Sequence, residues 1–425
     1  MSEFEGANGP NGADKARTNP TSNDGSTIMD YTTEEAKALD YANYFCSYSY
    51  LYHQKQMLMD HVRMKAYHSS IMNNQELFKG KVVLDVGAGS GVLSLWAAKA
   101  GAKKVFACEF TDMAKFAREM VKSNGLSDIV EVLQCSAEEL DLPCKVDIII
   151  SEWMGYLLLR ESMLDSVIRA RDKWMKEDGS MFPSLATMYF APICYEQDRE
   201  MKQQEYKGSM HEWVNFCSEM NEYYDLNMSS LDTPFKKEQK EYFILSGLWT
   251  ELDPHHVVGR PFVVKKLDLN TCTLADAADV PETPFQCLVR NPNSVHNDSN
   301  GDPYPSDLGA RGSGTISGMA GWFTVDFNGS VNMPVENKVM LSTGPEAGYT
   351  HWGQQVFYFE EPIDCWGNNE EGGGGKEDSG VPAADIQLHG SISMMRQEKN
   401  KRLYNLRLTL GVNGGNEVSS VYEIP

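Results

Sequence analysis

Apolar residues along the N-terminal part of the chain follow two different periods. Between residues 34 and 78 no proline or glycine interrupts, and Leu58, Val62 and Ala66 stand four residues apart. That spacing places the three side chains on one face of a helix, so helices are predicted over 34–78. Residues 1–33 carry almost nothing that could be buried, which predicts a disordered tail.

From residue 79 to residue 185, short β-branched runs alternate with longer amphipathic segments. Strands are predicted at 81–87, 105–107, 129–133 and 146–151, and helices at 92–100 and 113–122. Strands that alternate with helices in this way build a parallel sheet with crossover helices. We therefore expect an α/β domain in this part of the chain.

After Pro183 short apolar runs are separated by turns, which predicts an antiparallel β domain over 186–425. Strands are expected at 186–193, 322–327, 338–342, 355–360, 386–394 and 403–410. The charged and aromatic stretch 196–224 predicts one helical excursion. Two Gly-, Asn- and Asp-rich stretches, 291–314 and 367–381, are expected to be mobile surface loops.

The composition restricts the partners of the chain. Its 425 residues include 60 Asp and Glu against 38 Lys and Arg, a net charge of −22. A surface this acidic repels phosphate backbones, so no direct nucleic acid partner is expected, although solubility alone would explain the acidity equally well. The chain has no run of about 18 apolar residues and no apolar leader, so no membrane contact is expected either.

The nine cysteines are scattered along the chain and form no C-x-x-C pair. Such a pattern is typical of reduced thiols in an intracellular protein. We therefore expect a protein of the cytoplasm, the nucleus or both, without a metal site.

A glycine cluster, VLDVGAGSGVL, follows the first predicted strand. Gly87, Gly89 and Gly91 allow a sharp turn into a helix and a close approach of backbone N–H groups to a ligand. A tight βα turn without a ligand would need the same residues. Glu109 ends the next strand, where a carboxylate can accept hydrogen bonds from a ribose diol, and Glu138 follows the third strand, near a possible nucleobase.

The spacing G-x-G-x-G differs from the fingerprint of dinucleotide folds, which hold a pyrophosphate. A methyl donor such as S-adenosylmethionine carries no phosphate but has an amino-acid carboxylate, which requires a cation near the glycines. Arg63 in the preceding helix is the candidate.

Two glutamates flank an apolar loop in the segment SEWMGYLLLRESML, residues 151–164. Glu152 and Glu161 are nine residues apart, about 13 Å along a helix, so they can act together only if the loop doubles back, which Gly155 permits. Each carboxylate could instead be solvated separately. If both face one cavity, a planar guanidinium with its fork of N–H donors is the guest that fits them best.

Taken together, these motifs resemble those of the protein arginine methyltransferase family. The similarity runs from Tyr41 to the C-terminus, is strongest over 41–192, and is closest to the plant-type branch numbered ten. The motifs that carry it are YANYFCSYSYLYHQKQMLMDHVRMKAY (41–67), VLDVGAGSGVL (83–93), ACEF (107–110), SEWMGYLLLRE (151–161) and THW (350–352).

The resemblance implies a fold of class α/β plus β. A Rossmann-like class I methyltransferase domain over 79–185 is followed by an antiparallel β-barrel domain over 186–425, with a dimerisation arm at 195–240. The helices of 34–78 would close the cofactor site. Trp213, Phe216 and Met220 stand at helical spacing and are expected to form the arm's docking face, unless the helix packs within its own chain.

The resemblance also implies a role for each matching residue. The residues expected to hold S-adenosylmethionine are the turn glycines Gly87, Gly89 and Gly91, the carboxylate-binding His53 and Arg63, the ribose- and adenine-binding Glu109 and Glu138, and Tyr44 and Phe45 in the closing helix. Those expected to be catalytic are Glu152 and Glu161, which grip the substrate arginine, and Asp60 and His351, which move the departing proton. Those expected to line the substrate pocket are Tyr48, Met57, Met154, Met163 and Trp352.

In the family that the sequence resembles, Met at positions 57 and 163 goes with mono- and asymmetric dimethylation of arginine, so the resemblance implies the type I reaction. The expected partners are arginine-containing proteins, namely Gly/Arg-rich tails and histones, which the acidic surface would attract, and a second copy of the chain in a homodimer. Arg160 and Gly353 depart from many relatives at the substrate mouth and leave peptide preference open, and Arg311 is a candidate self-methylation site or a plain loop residue. The competing interpretations are a small-molecule methyltransferase and an inactive or regulatory scaffold.

Overall fold

The computed structural model describes residues 44–45, 48–289, 315–364, 385–398 and 400–424. The expectations for the tail, for the two Gly-rich loops and for Arg311 lie outside these residues. The described part of 34–78, where helices were predicted, contains α1 (Leu51–Met59), α2 (His61–Met72) and α3 (Gln75–Phe78). Asp60 separates the first two, because its side chain accepts a hydrogen bond from the backbone N–H of Arg63 at 2.9 Å and so caps α2.

A five-stranded parallel sheet follows, in the order β3-β2-β1-β4-β5. Its strands are β1 (Val82–Val86), β2 (Lys104–Cys108), β3 (Val130–Leu133), β4 (Val146–Ser151) and β5 (Met175–Phe182). The helices are α4 (Val92–Lys99), α5 (Met113–Ser123) and α6 (Leu164–Trp174). The predicted Rossmann-like arrangement is confirmed, although β5 and α6 were not predicted.

Two antiparallel sheets make up the β domain. The first contains β6 (Leu185–Ile193), β7 (Leu248–Thr250), β8 (Phe262–Asp268), β10 (Thr315–Gly329), β11 (Pro334–Ser342) and β12 (Gln354–Asp364). The second contains β9 (Val280–Val289), β13 (Ile386–Arg396), β14 (Tyr404–Val412) and β15 (Val418–Ile424).

Single bridges from residue 259, just before β8, to residue 289 and from residue 246, just before β7, to residue 423 link the edges of the two sheets, which gives the domain a barrel-like arrangement. A short helix, α9 (Leu274–Ala278), precedes β9. Three 3₁₀ turns lie at Ser229–Leu231, Pro254–His256 and Pro345–Ala347.

The helical excursion is a hairpin of α7 (Glu196–Tyr224) and α8 (Asp232–Phe243). Trp213 stacks on Phe235 of α8, with ring centroids 4.1 Å apart, and donates a hydrogen bond to Asp232 at 2.8 Å. Trp213 is therefore half-buried within its own chain, and the expected docking face of Trp213, Phe216 and Met220 stays a prediction. Phe216 and Val214 remain exposed on α7.

The sheet domain and the β domain share one hydrophobic core. Phe327 of β10 packs against Tyr67 of α2 and Phe182 of β5, with ring centroids 4.9 and 6.3 Å away. Beside this core, Asp165 of α6 and Arg396 of β13 form a buried ion pair with two hydrogen bonds of 2.7 Å. None of the helices in the described part of the chain has the length and apolar character needed to cross a bilayer.

Candidate active site

A cavity of about 850 Å³ lies at the carboxyl ends of β1, β2 and β4. The strand order reverses between β1 and β4, and open α/β sheets bind their ligands at this point. Every predicted site residue except Asp60 and Gly91 lines the cavity: Tyr44, Phe45, Tyr48, His53, Met57, Arg63, Gly87, Gly89, Glu109, Glu138, Glu152, Met154, Glu161, Met163, His351 and Trp352.

The glycine turn leaves no space for larger residues on the cavity side. Gly87 has a φ of +74°, and a Cβ atom there would lie 2.2 Å from Cε of Met163. At Gly89, a Cβ atom would lie 2.9 Å from Oε1 of Gln54, a buried residue of α1 that the sequence did not indicate. Gly91 does not line the cavity and is the N-cap of α4, with a φ of +84°. The backbone is therefore shaped for a ligand that approaches closely.

Two carboxylates at the same end of the cavity are held by neighbouring hydroxyl and backbone groups. Oε1 of Glu109 accepts hydrogen bonds from the backbone N–H and the hydroxyl of Thr111, at 2.7 and 2.6 Å. Its Oε2 accepts the backbone N–H of Gly89 at 2.8 Å, so the carboxylate is fixed against the glycine turn. Glu138 accepts a hydrogen bond from the hydroxyl of Ser166 at 2.8 Å.

Glu152 lies directly after β4 and already holds a guanidinium. Its Oε2 accepts Nε of Arg63 at 3.0 Å and Nη2 of Arg63 at 2.8 Å, while Nη1 of the same arginine donates to the backbone oxygen of Met57. Both side chains are largely buried. Arg63 was expected to face the carboxylate of a cofactor, whereas the structure pairs it with Glu152 on the wall of the same cavity.

The loop between the glutamates doubles back, as predicted. Gly155 bridges to Leu158, and a Cβ atom at Gly155 would lie 1.9 Å from the backbone oxygen of Arg160. Four residues of the loop that are not glycine have a positive φ: Leu157, Leu158, Glu161 and Ser162. Each such conformation costs on the order of 1–3 kcal/mol and persists only where surrounding structure enforces it.

The segment before β14 enforces the conformation at Glu161. The backbone N–H of Glu161 donates to the backbone oxygen of Arg402 at 2.8 Å, and Nη1 of Arg402 donates to the backbone oxygen of Glu161. The hydroxyl of Ser162 donates to the backbone oxygen of Lys401 at 2.7 Å. Arg402 also lies over the ring of Tyr44, 3.8 Å from its centroid, and lines the cavity. No motif pointed to Arg402, since its role depends on contacts 241 residues away in the chain.

The carboxylate of Glu161 is held by hydrogen bonds inside an apolar wall. Its Oε2 accepts the hydroxyl of Tyr48 at 2.8 Å, and Nη1 of Arg160 lies 3.6 Å from its Oε1. Burial raises the pKa of Glu161 above its usual range, although Tyr48 and Arg160 act in the opposite direction. The nearby charge of Glu152 adds to the rise in pKa.

Asp60 connects the start of α2 to the loop that contains His351. Its Oδ2 accepts the backbone N–H of His351 at 2.9 Å and lies 2.8 Å from Nδ1 of the ring. Burial would raise the pKa of Asp60, but the hydrogen bonds from His351 and Arg63 outweigh it and hold the pKa below its usual range. Trp352 donates from its indole to the backbone oxygen of Met154 at 2.7 Å, which joins the same loop to the glutamate segment.

Comparison with protein-family models gives two matches. Residues 184–415 match the arginine methyltransferase oligomerization subdomain. Residues 36–182 match the model for ribosomal protein L11 methyltransferase. The two matches divide the chain close to the boundary between the parallel sheet and the antiparallel sheets.

Known proteins resemble the chain over most of its length. Protein arginine N-methyltransferase PRMT10 of Oryza sativa subsp. japonica is 42% identical over 401 residues, which are 94% of this chain and 93% of that protein. The protein of the same name from Arabidopsis thaliana is 43% identical over 373 residues, 88% of this chain and 87% of that protein.

Two solved structures have the same fold. The crystal structure of Arabidopsis thaliana protein arginine methyltransferase 10, described as uniquely open, matches with a TM-score of 0.77 and 40% identity, over 90% of this chain and all of that chain. The Trypanosoma brucei PRMT1 enzyme-prozyme heterotetramer with AdoHcy matches with a TM-score of 0.65 and 28% identity, over 89% of this chain and all of that chain.

Proposed function

Since this chain belongs to the protein arginine N-methyltransferase family, we propose that it transfers methyl groups to the terminal guanidino nitrogens of arginine in proteins. The methyl donor of the family is S-adenosylmethionine. The observation that carries the proposal is that Glu152 binds a guanidinium, that of Arg63, in the cavity that also contains Glu161 and the glycine turn.

The residues at the glycine end fit the methyl donor. A Cβ atom at Gly87 or Gly89 would collide with the wall of the cavity, and Glu109 is fixed beside the turn. We assign the ribose hydroxyls to Glu109, the adenine to Glu138, the amino-acid carboxylate to His53 and Arg63, and the covering wall to Tyr44 and Phe45. When bound, S-adenosylmethionine supplies an electrophilic methyl group on a positively charged sulfur.

Glu152 and Glu161 position the substrate arginine. A guanidinium is a poor nucleophile because its lone pairs are delocalised over three nitrogens. Two carboxylates that accept hydrogen bonds from it concentrate positive charge on the nitrogens they face, which leaves the remaining terminal nitrogen richer in electrons. Because the pair is shielded from water, these interactions are stronger than they would be at the surface. Holding the nucleophile in line lowers the barrier further.

His351 and Asp60 remove the proton that methylation makes acidic. Asp60 holds Nδ1 of His351, which leaves Nε2 of the ring as the proton acceptor. The low pKa of Asp60 keeps its carboxylate charged, so it stabilises the imidazolium once the proton has moved. No strong base is needed before methyl transfer, because the nitrogen becomes acidic only as the new bond forms.

The finer assignments are part of the same proposal. The flexible Met57 and Met163 leave space for a nitrogen that already carries one methyl group, which favours asymmetric dimethylarginine as the final product. A net charge of −22 attracts Gly/Arg-rich tails and histone segments, in the cytoplasm, the nucleus or both. The oligomerization subdomain and the exposed apolar residues of α7 support a homodimer.

The proposal is tested with labelled S-adenosylmethionine and a Gly/Arg-rich peptide. Wild-type protein should label the peptide, and mass spectrometry should find mono- and then asymmetric dimethylarginine. Glu152→Gln keeps the shape but removes the charge, so labelling should fall by about 10²–10³-fold. Glu76→Gln is the matched control, because that side chain is fully at the surface of α3. Equal labelling by Glu152→Gln and wild type would refute the mechanism, and symmetric dimethylarginine would refute the product assignment.

A further inference from the structure

Two thiols lie together at the end of the cavity assigned to adenine. Cys108 is the last residue of β2, and Cys135 follows β3 by two residues. The strands are parallel neighbours, and Sγ of Cys108 is 3.4 Å from the backbone oxygen of Cys135. Both line the cavity together with Glu109 and Glu138, and both are free thiols.

The two thiols have different chemical character. A side-chain hydrogen bond between the two thiols lowers the pKa of Cys135 to about 7, and the charge of Lys173 contributes to the decrease. The pKa of Cys108 is raised by the same hydrogen bond and by burial. A half-exposed thiolate beside a protonated thiol is the arrangement in which one sulfur is attacked by an oxidant and its neighbour completes a disulfide.

We propose that Cys108 and Cys135 form a modification site for hydroperoxides, at which oxidation to a disulfide prevents the binding of S-adenosylmethionine. The inference rests on the cofactor placement proposed above. With the cofactor placed in this way, binding of S-adenosylmethionine and oxidation of the thiols exclude each other, because the disulfide narrows the space between Glu109 and Glu138. Such a disulfide is transient in a reducing compartment, where thiol reductants restore the pair.

The oxidation balances in two steps. The Cys135 thiolate attacks one oxygen of the hydroperoxide, the O–O bond breaks, and an alcohol leaves after it takes up a proton, so that Cys135 becomes a sulfenic acid. The Cys108 sulfur then attacks the Cys135 sulfur, the S–O bond breaks, and water leaves with the proton of Cys108. Two thiols are oxidised to one disulfide, and one hydroperoxide is reduced to one alcohol and one water.

The test uses the full chain, treated with hydrogen peroxide, and two measurements that require no peptide substrate. Tryptic mapping after thiol blocking should find peptide 105–115 joined to peptide 123–145. Calorimetry should show S-adenosylmethionine binding at least about tenfold more weakly after oxidation, with recovery in dithiothreitol. S-adenosylhomocysteine added before the peroxide should protect the pair.

Three variants separate the pair from the other thiols. Cys144→Ser is the matched control, since Cys144 is exposed and belongs to the same tryptic peptide as Cys135. It should form the crosslink and lose affinity as wild type does. Cys135→Ser and Cys108→Val should each form no crosslink, and peroxide should leave the affinity of each at its own reduced value.

The proposal is overturned if peroxide leaves the affinity of wild type unchanged, if the crosslink involves Cys144 instead, or if both pair variants lose affinity like wild type. A protein that forms the crosslink and loses affinity but methylates no peptide would contradict only the proposed function. A reduced protein that does not bind S-adenosylmethionine would contradict the cofactor placement and the inference together.

Discussion

Glu152 and Glu161 face the same cavity but reach it along segments of opposite character. Glu152 directly follows β4, whose residues are regular and completely buried. Glu161 belongs to a loop in which four residues that are not glycine have a positive φ. A parallel strand therefore places one carboxylate with little strain, whereas the other depends on a conformation that its own sequence disfavours.

The difference shows where the support for the second carboxylate comes from. The β domain holds the end of this loop and the start of α6 at three points. Arg402 is hydrogen-bonded to Glu161, Lys401 to Ser162, and Arg396 to Asp165. The β domain thus stabilises half of a site that otherwise belongs to the parallel sheet. Variants at these contacts should affect the Glu161 side and leave the glycine end unchanged.

The largest effect is expected from Asp165→Asn, which breaks the buried pair with Arg396. Arg396 then keeps its hydrogen bond to Tyr404 but loses the opposite charge in the interior, which costs roughly 3–5 kcal/mol, so the free energy of unfolding measured in urea should fall by that amount. Asp172→Asn is the control, because this aspartate pairs with Arg171 from an exposed position on the same helix and should cost less than about 1 kcal/mol. Equal losses for both variants would show that the buried pair contributes no more to stability than the exposed one.

Gly155→Ala should disrupt the Glu161 side alone. Its Cβ atom would lie 1.9 Å from the backbone oxygen of Arg160, so the loop must shift, and displacements of this size lower kcat/KM for a peptide by about 10²-fold. The affinity for S-adenosylmethionine should remain close to that of wild type. Gly208→Ala is the control, since apart from the backbone of α7 itself and the adjacent residues no atom lies within 4 Å of its Cβ position. A similar loss of cofactor affinity in Gly155→Ala would mean that the two ends are not independent.

Arg402→Met should have a smaller effect in the same direction. It removes a charged hydrogen bond to the backbone oxygen of Glu161, which contributes about 1.5–3 kcal/mol, and the cation above Tyr44. We expect kcat/KM to fall by roughly tenfold or more. Arg407→Met, an exposed position on β14, controls for the loss of one positive charge. If the two variants behave alike, Arg402 does not support the loop.

The smallest effect is expected from Tyr48→Phe, and it should depend on pH. Burial raises the pKa of Glu161, and the hydrogen bond from Tyr48 opposes that rise, so its removal should move the pKa further upward. In the proposed function Glu161 binds arginine as a carboxylate, and this form is lost as pH falls through its pKa. The acid limb of kcat/KM should therefore shift to higher pH, with a loss of activity that fades as pH rises.

Tyr52→Phe is the control for Tyr48→Phe, because the side chain of Tyr52 in α1 is exposed to solvent and does not line the cavity. Its pH profile should coincide with that of wild type. A uniform loss of activity at every pH in Tyr48→Phe would assign Tyr48 a packing role and not an electrostatic one.

Sequence reasoning succeeded where local pattern determines structure. The first four strands of the parallel sheet were predicted, because short β-branched runs that end at glycines or charged residues are typical of buried strands. β5 was missed, since its sequence MKEDGSMF is polar over half its length and becomes a strand only by pairing with β4. β9 was missed because two prolines interrupt it, and neighbouring strands compensate.

In the site too, the residues that could be predicted are those whose positions depend on local sequence. The glycine turn and Glu152 could be placed from the sequence, because each immediately follows a predicted strand. Arg402, Gln54 and Cys135 could not, because their positions depend on contacts between segments that are distant in the chain. The pairing of Arg63 with Glu152 was also invisible, since nothing in either segment indicates the other.

Asp60 has a consequence for the genetics of this protein. One carboxylate caps α2 through the backbone of Arg63 and fixes both the backbone and the ring of His351. A replacement without a side-chain hydrogen-bond acceptor, such as alanine, removes the helix cap and the orientation of the histidine together. Alleles at position 60 should therefore be pleiotropic, with thermal inactivation and reduced turnover inherited as a single trait.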